Sequence, residues 1–384
     1  MKTIPCSRQH LTRDDINAVK KVLVSDWLTQ GPTIKRFERS LCDYTGSKYA
    51  LAVSSGTAAL HLSMLALDIN RGDKVLTSPI TFSASANCVL YVGACPKFID
   101  INDYTYHLDI EKVIDFLKIP SQRKRVKAVV LIHFMGTVFD IVGLKRVCDK
   151  YGISIVEDAA HALGARYLQG ERSHQVGGCR HSDVTIFSFH PIKNITTGEG
   201  GALLTNDKRI YKRALLLRHH GIVKSKKWPL WYYDIPRLGF NYRITDIQCA
   251  LGISQLQRLN AMIKKKRMQV QYYNTCFSGN NLVRVPCERP DTYAAYHLYV
   301  VRVPSRKRNS LYNFLRKSNI FTQINYIPVH LLSLYKDSYG YKKGDFPIAE
   351  KFFSECLSLP LHVGLTQKQQ AKIIKKVNYF LNNG

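Results

Sequence analysis

Short apolar segments alternate with helix-like stretches through the first half of the chain, and this alternation restricts the fold more than any other sequence feature. Each apolar segment has the length of one strand, and the intervening stretches are long enough for crossover helices. Strands joined by such crossovers run parallel in one sheet. We predict strands over residues 49–53, 74–77, 97–100, 128–133, 154–157 and 184–188, and helices over residues 57–67, 81–92 and 142–151. The sequence therefore predicts an α/β fold with a mostly parallel sheet and helices on both faces.

The alternating pattern reaches to about residue 250. Residues 244–266 carry apolar side chains at helical spacing and predict one long helix that links two domains. Its expected apolar positions are Ile247, Leu251, Ile253, Leu256 and Leu259. Further on, we predict strands over 297–304 and 322–326 and helices over 310–318 and 367–381. We expect a large domain with an N-terminal arm over residues 1–254 and a small α+β domain over residues 255–384.

The chain is strongly basic. Its 56 Lys and Arg residues outnumber 28 Asp and Glu residues, so the formal net charge is +28. Such a charge attracts anions, and nucleic acid, an anionic membrane and phosphorylated small molecules all fit it. No recognisable nucleic-acid-binding motif accompanies the charge, so we expect no nucleic-acid partner.

Ten cysteines are scattered through the 384 residues without a C-x-x-C pair. This spacing argues against a zinc ribbon and against a dense disulfide framework, so we expect reduced thiols and no metal site. The N-terminus lacks the apolar run of a signal peptide, and no apolar stretch is long enough to span a bilayer. We therefore expect a cytoplasmic protein without membrane insertion.

One candidate phosphate site follows the first predicted strand. Residues 54–59 read SSGTAA and open a predicted helix. Backbone N–H groups and hydroxyls at a helix N-terminus suit a phosphate. The same pattern is also an ordinary strand–turn–helix connection.

A carboxylate ends another predicted strand. In the segment EDAAH over residues 157–161, Asp158 lies where open α/β sheets place ligand-contacting side chains. It is able to pair with a cationic ring nitrogen. The alternative interpretation is that Asp158 caps the following helix and that His161 only packs beside it.

A lysine follows a third predicted strand. Lys193 lies in the segment FSFHPIK, just before the glycine-containing turn TTGEGG over residues 196–201. An amine in apolar surroundings loses water and shifts toward its neutral, nucleophilic form, which is able to form an imine. A surface lysine is the alternative interpretation.

Together these segments resemble one family along nearly the whole chain. SSGTAAL, EDAAHALG, FSFHPIKNITTGEGGALLTND and LGFNYRITDIQCALGISQL occur in the order and spacing of the DegT/DnrJ/EryC1/StrS family. Its members are nucleotide-sugar aminotransferases of fold type I that depend on pyridoxal 5'-phosphate (PLP). The resemblance implies the same aspartate aminotransferase-like fold and the same cofactor here.

The resemblance also implies roles for individual residues. Lys193 matches the lysine that forms the Schiff base with the cofactor and moves the proton during the reaction, and Asp158 matches the carboxylate that pairs with the pyridinium nitrogen. His161 matches a position near the ring and is also a candidate catalytic residue. The other implied cofactor-binding positions are Gly56, Thr57, Ala58, Phe82 and Ser188.

Asn241 matches an asparagine that the family sends to the cofactor phosphate of the neighbouring subunit, so the resemblance implies a homodimer with shared active sites. Two positions depart from the pattern. Asn194 replaces a frequent proline after the lysine, and Cys6 replaces a frequent aromatic residue near the N-terminus. Neither change removes a group that the chemistry needs.

Within the family, five segments resemble the subgroup of pseudaminic acid biosynthesis: residues 4–9, 25–31, 296–299, 323–330 and 357–360. The implied reaction moves the amino group of L-glutamate to C4 of a UDP-linked 4-keto-6-deoxy-2-acetamido sugar. Another nucleotide keto-sugar, such as a dTDP-4-keto or UDP-3-keto sugar, is an alternative acceptor. Lys193 argues against the related sugar dehydratases, in which a histidine replaces the lysine. A nonenzymatic anion or nucleic-acid binder is the remaining alternative.

Overall fold

The computed structural model describes residues 3–383 and contains one large sheet and two small ones. The large sheet has seven strands in the order β1-β9-β8-β5-β4-β2-β3. The strands found in the described part of the chain are β1 (Tyr49–Val53), β2 (Lys74–Thr77), β3 (Cys95–Phe98), β4 (Val126–Ile132), β5 (Ser154–Asp158), β6 (Arg166–Gln169), β7 (Arg172–Gln175), β8 (Val184–Ser188), β9 (Gly201–Thr205), β10 (Thr292–Tyr293), β11 (Tyr299–Arg302) and β12 (Cys356–Leu359).

Helices cover the sheets. The α-helices are α1 (Arg13–Leu23), α2 (Pro32–Thr45), α3 (Gly56–Ala66), α4 (Ala84–Tyr91), α5 (Ile110–Lys118), α6 (Pro120–Arg123), α7 (Ile141–Tyr151), α8 (Lys208–Arg218), α9 (Asp246–Gln257), α10 (Leu259–Phe277), α11 (Ser305–Lys317), α12 (Ser333–Tyr339), α13 (Pro347–Glu355) and α14 (Gln367–Asn383). Two short 3-10 helices cover Phe134–Gly136 and Val329–Leu331. None of the helices in residues 3–383 is long and apolar enough to cross a membrane.

The large sheet is parallel apart from β9, which confirms the predicted fold class. β9 pairs antiparallel with both β1 and β8, so β1 and β8 point the same way as β5, β4, β2 and β3. All six predicted strands of this sheet are present within a few residues of their predicted bounds. β9 was not predicted, because its first residue, Gly201, is also the last residue of the glycine-containing turn.

Each face of the large sheet supports its own apolar core. Along β1, Ala50 and Ala52 pack into one core, whereas Leu51 and Val53 pack into the other. This two-sided burial explains why most of these strands are mainly apolar and do not alternate between apolar and polar residues. Helices α2, α5, α7 and α9 contribute to the first core, and α3, α4 and α8 contribute to the second.

The prediction of one long helix over residues 244–266 is wrong. The chain forms α9 and α10, separated at Arg258, whose backbone has φ −102° and ψ −1°. The Arg258 guanidinium pairs with Asp15, a buried residue of α1 that is remote in sequence. Because apolar periodicity continues through the break, the sequence pattern cannot reveal it. Of the five predicted apolar positions, Leu256 and Leu259 are buried, whereas Ile247, Leu251 and Ile253 are half-buried.

The predicted strand over residues 322–326 is also wrong. Within residues 322–326, only Gln323 makes a β-bridge, and its partner is Ser358. Residues 324–326 do not pair with a strand. The Asn325 side chain instead accepts a hydrogen bond from the Ser358 hydroxyl at 2.8 Å, and Tyr326 turns toward a cavity. Beside this segment, β11 and β12 form an antiparallel pair over a separate apolar core shared with α10, α11 and α14. The domain boundary at residue 254 stays a prediction.

Candidate active site

A cavity of about 390 Å³ lies at the carboxyl edge of the large sheet. The strands β1, β2, β5 and β8 all end at this edge, and each is followed by side chains that line the cavity. Seven of the nine predicted site residues line it: Gly56, Thr57, Phe82, Asp158, His161, Ser188 and Lys193. The shared direction of the strands brings together motifs that are more than 100 residues apart in sequence.

The end of the cavity beside β1 is formed by the N-terminus of α3. Ser55 caps this helix, because its hydroxyl oxygen accepts the Ala58 N–H at 3.0 Å. Gly56 and Thr57 are the first two helical residues, so their N–H groups have no carbonyl available one turn earlier within the helix. A Cβ atom on Gly56 would lie 2.9 Å from the Cβ of Ser188. Only glycine therefore lets the helix end approach Ser188 closely enough to form this anion-binding corner.

Asp158 provides a buried carboxylate at the end of β5. Its Oδ1 accepts the Ala160 N–H at 3.1 Å, and its Oδ2 accepts the Ser85 hydroxyl at 2.5 Å. Ser85 is also 2.8 Å from the hydroxyl of Thr81. Since Ser85 gives its single proton to Asp158, Thr81 donates to Ser85. This chain of hydroxyls fixes the carboxylate in orientation.

Lys193 lies in the loop after β8 and lines the same cavity. The surrounding protein removes water from its ammonium group and lowers the pKa of Lys193 to about 8, although the negative charge of Asp158 acts in the opposite direction. An amine with this pKa carries a substantial neutral fraction near pH 7. It is therefore able to act as a nucleophile or as a proton carrier.

His161 and Tyr326 form one wall. The Tyr326 hydroxyl lies 3.3 Å from Nε2 of His161, and the rings of His161 and His297 have centroids 4.3 Å apart. Burial, together with the positive charge of Lys193, holds the pKa of His161 well below its usual range, so this imidazole is neutral. Its buried Nδ1 has no hydrogen-bond partner among residues 3–383. Phe82 is 61% exposed at the cavity mouth, with its ring 6.1 Å from that of Tyr326.

Asn194 anchors the loop that carries Lys193. Its amide Nδ2 donates to the Leu163 carbonyl at 3.0 Å and to the His161 carbonyl at 3.4 Å. Its Oδ1 accepts a hydrogen bond from the buried Lys266 ammonium. A proline at this position could make none of these side-chain hydrogen bonds. Asn194, which replaces the proline frequent in the family, therefore links the Lys193 loop to the segment that follows Asp158.

The sequence profile of the DegT/DnrJ/EryC1/StrS aminotransferase family matches residues 9–378. The chain belongs to this family. It is 35% identical over 372 residues to the UDP-4-amino-4,6-dideoxy-N-acetyl-beta-L-altrosamine transaminase of Campylobacter jejuni serotype O:2, covering 96% of this chain and 95% of that protein.

Two solved structures support the same assignment. Helicobacter pylori PseC, an aminotransferase involved in the biosynthesis of pseudoaminic acid, superposes with a TM-score of 0.90 at 29% identity over 100% of both chains. The PLP-form of the putative sugar aminotransferase Spr1654 from Streptococcus pneumoniae gives a TM-score of 0.91 at 30% identity over 99% of both chains. The protein is thus a PLP-dependent sugar aminotransferase with the predicted fold type I.

The cavity fits the cofactor of this family. The corner at Gly56, which a Cβ would fill, suits a phosphate group. The carboxylate of Asp158 suits a protonated ring nitrogen, and the Lys193 amine suits an aldehyde carbon. These three groups face one cavity of about 390 Å³.

Two predicted cofactor-binding residues of this DegT-family enzyme do not line the cavity. Ala58 is buried inside α3, and its N–H is already bonded to Ser55. Asn241 is exposed, and its backbone pairs with that of His219. The next residue, Tyr242, accepts the Ser54 N–H at 2.9 Å, so the Asn241 segment lies beside the turn that leads into α3.

Several residues that shape the site were not predicted from the sequence. Ser85 was hidden inside a predicted helix, although it follows Phe82 by three residues at the carboxyl end of β2. Tyr326 and Asn325 lie in the segment that was predicted as a strand. Glu199, in the glycine-containing turn, also lines the cavity. The available signal for Ser85 was its position at the start of the helix that follows β2. Tyr326 lies in residues 323–330, one of the five segments that resemble the subgroup, but the sequence did not assign it a role in the site.

Proposed function

We propose that this aminotransferase moves the amino group of L-glutamate to C4 of a UDP-linked 4-keto-6-deoxy-2-acetamido sugar, for a surface glycan of the pseudaminic acid type. The observation that carries the chemistry is the placement of Lys193 and Asp158 in one cavity beside the Gly56 corner. The acceptor is supported by the resemblance to the altrosamine transaminase and to PseC. We also infer that the enzyme works in the cytoplasm, which agrees with its ten free cysteines.

We assign the cofactor contacts as follows. The N–H groups of Gly56 and Thr57 and the hydroxyl of Ser188 hold the phosphate at the positive end of α3. Asp158 keeps a proton on the ring nitrogen, and Phe82 and His161 lie near the ring. When bound, pyridoxal phosphate supplies an electron sink for the electron pair released at the substrate carbon.

Lys193 carries the proton of the transfer. Its Nζ removes the proton from the carbon that bears the amino group of the donor and returns a proton when the acceptor carbon is aminated. A pKa of about 8 allows both directions near neutral pH. Asn194 supports this role, since its two bonds to the segment after Asp158 hold the lysine loop against the carboxylate.

We further propose a homodimer in which Asn241 reaches the cofactor phosphate of the second subunit. Exposed apolar side chains support such an interface: Leu230, Trp231 and Leu238 are 98%, 78% and 84% exposed. These residues lie in the segment that precedes Asn241. Burying them against a second copy would carry Asn241 toward that copy's cavity.

An acceptor panel tests the substrate assignment. The purified enzyme is incubated with PLP, L-glutamate and, separately, UDP-4-keto, UDP-3-keto and dTDP-4-keto sugars, and mass spectrometry detects the aminated product. We expect efficient conversion of the UDP-linked 4-keto-6-deoxy-2-acetamido sugar, with none by Lys193→Ala. Preferential conversion of another member of the panel would overturn the acceptor while leaving the aminotransferase chemistry intact.

A further inference from the structure

A second, much smaller cavity lies behind Lys193. It measures about 30 Å³ and lies between the Lys193 loop, α10, the N-terminal segment and the residues that follow β12. We call it the Lys266 cavity. Its ionisable lining within residues 3–383 is basic throughout, without an aspartate or glutamate: Arg8, His10, Lys193, Lys266, His297 and His362.

Lys266 is the buried charge of this cavity. Only 6% of the residue is exposed, and its ammonium donates to the neutral Oδ1 of Asn194. Burial lowers the pKa of Lys266 to about 7. A buried ammonium with a neutral partner is costly, whereas one beside a negative charge is stabilised. Gln255 also lines the cavity, and together with Arg258 it bonds to the carboxylate of Asp15, which itself is not part of the lining.

His362 provides a second observation that points to a ligand. The residue is 6% exposed, it lines the cavity, and neither of its ring nitrogens has a hydrogen-bond partner among the described residues. Burial and the charge of Arg8 lower its pKa to about 4, so the ring is neutral and offers one N–H. Gln269, one turn after Lys266, donates to the His362 carbonyl at 3.1 Å and holds the residue in place.

We propose that the Lys266 cavity binds one small monovalent anion of the size of chloride. The ammonium of Lys266 and the N–H of His362 are the donors, and the surrounding cationic groups make the potential positive. The volume accommodates a guest of about the size of one or two water molecules, and not a carboxylate attached to a larger molecule. This proposal does not depend on the sugar acceptor or on the dimer.

The anion has a consequence for Lys193, which lines both cavities. A negative charge behind the lysine favours its ammonium form and raises its pKa. Binding also requires protonated Lys266. The anion therefore binds more weakly as the pH rises through the pKa of Lys266, which the bound anion itself raises above 7.

Bromide identifies the site directly. Crystals of the full-length enzyme are soaked in bromide, and anomalous diffraction locates the ion. We expect a peak in the Lys266 cavity in the wild type and in the Lys264→Met control, which removes an exposed lysine of the same helix, and no peak in Lys266→Met. A water molecule at that place in the wild type, or an unchanged peak in Lys266→Met, would refute the proposal.

Chloride titration in solution provides the second arm. At constant ionic strength, replacing gluconate by chloride is expected to raise the Tm of the wild type and of Lys264→Met by about 1–3 °C at pH 6.5, and less at pH 8.5. Lys266→Met is expected to lose this response, and Lys266→Arg is expected to retain part of it. If Lys266→Met does not fold, the bromide peak and the chloride titration of the wild type test whether the cavity binds an anion. A bromide peak without any chloride-specific change in the wild-type Tm would mean an adventitious ion only and would overturn the proposal.

Discussion

The Ser85 hydroxyl donates to Oδ2 of Asp158 across 2.5 Å, and the two residues belong to different strand ends, with Ser85 in α4 after β2 and Asp158 at the end of β5. The carboxylate is thus oriented by a side chain 73 residues earlier in the chain. Its other oxygen accepts a backbone N–H from Ala160. Asp158 is therefore held in one geometry by two different elements.

Ser85→Ala tests this orientation. Removing a hydrogen bond to a charged, buried group is expected to lower kcat by about 10- to 100-fold. The affinity for PLP is expected to fall by a smaller factor than kcat. Steady-state kinetics and a PLP titration measure the two effects. Ser83→Ala is the matched control, because Ser83 lies just before the same helix and does not line the cavity. Equal losses in both variants would exclude the orienting role.

Asp158→Asn tests the charge itself. The change keeps the volume of the side chain but removes the carboxylate that favours a protonated ring nitrogen. We expect turnover to fall by orders of magnitude while part of the cofactor binding survives. Rapid-kinetic measurement of the half-reaction with L-glutamate, on enzyme saturated with PLP, separates the loss of turnover from the loss of cofactor binding. Wild-type turnover in Asp158→Asn would remove this role from the mechanism.

The depressed pKa of Lys193 predicts a pH dependence for the cofactor-free enzyme. With a pKa of about 8, roughly a tenth of the amine is neutral at pH 7, against about one part in 3,000 for an ordinary lysine. Because the neutral amine is the nucleophile, acylation of Lys193 is expected to accelerate as the pH rises and to level off above about pH 8. Peptide mass spectrometry after timed labelling gives this profile, with exposed Lys264 as the internal reference. A midpoint for Lys193 near the ordinary lysine value of about 10.4 would contradict the predicted shift.

Mixed dimers test whether Asn241 serves the second subunit. Asn241→Ala and Lys193→Ala homodimers are each expected to be nearly inactive. After random mixing, about half of the dimers contain one subunit of each kind, and each of these has one complete site of two. Activity is therefore expected to recover to about a quarter of the wild-type value. Verified mixed dimers without recovery, together with weak cofactor binding by Asn241→Ala, would place Asn241 in its own subunit's site.

Local patterns were sufficient for the parts of the fold that depend on neighbouring residues. Apolar runs identified β1, β2, β4, β5 and β8, because strands that are buried on both faces are mainly apolar. Strand ends then located Asp158 and Lys193, since ligands bind where parallel strands end. The assignment of chemistry to those positions needed the family resemblance, because each motif alone also fits an ordinary turn or cap.

Contacts between distant parts of the chain could not be predicted. The helix break at Arg258 depends on Asp15, and the path of residues 322–326 depends on Ser358, which bonds to Asn325. The Lys266–Asn194 bond likewise joins residues 72 positions apart. No local periodicity encodes such pairs, so the contacts of Ser85, Tyr326 and Lys266 became visible only in three dimensions.

Covalent trapping of the cofactor tests the central claim most directly. The PLP-loaded enzyme is treated with borohydride, digested and mapped by mass spectrometry, with Lys193→Ala treated in parallel. We expect loss of the visible cofactor absorbance and a phosphopyridoxyl group on Lys193 alone, with no specific adduct and no turnover in the variant. A specific adduct on another lysine, with wild-type turnover in Lys193→Ala, would contradict it.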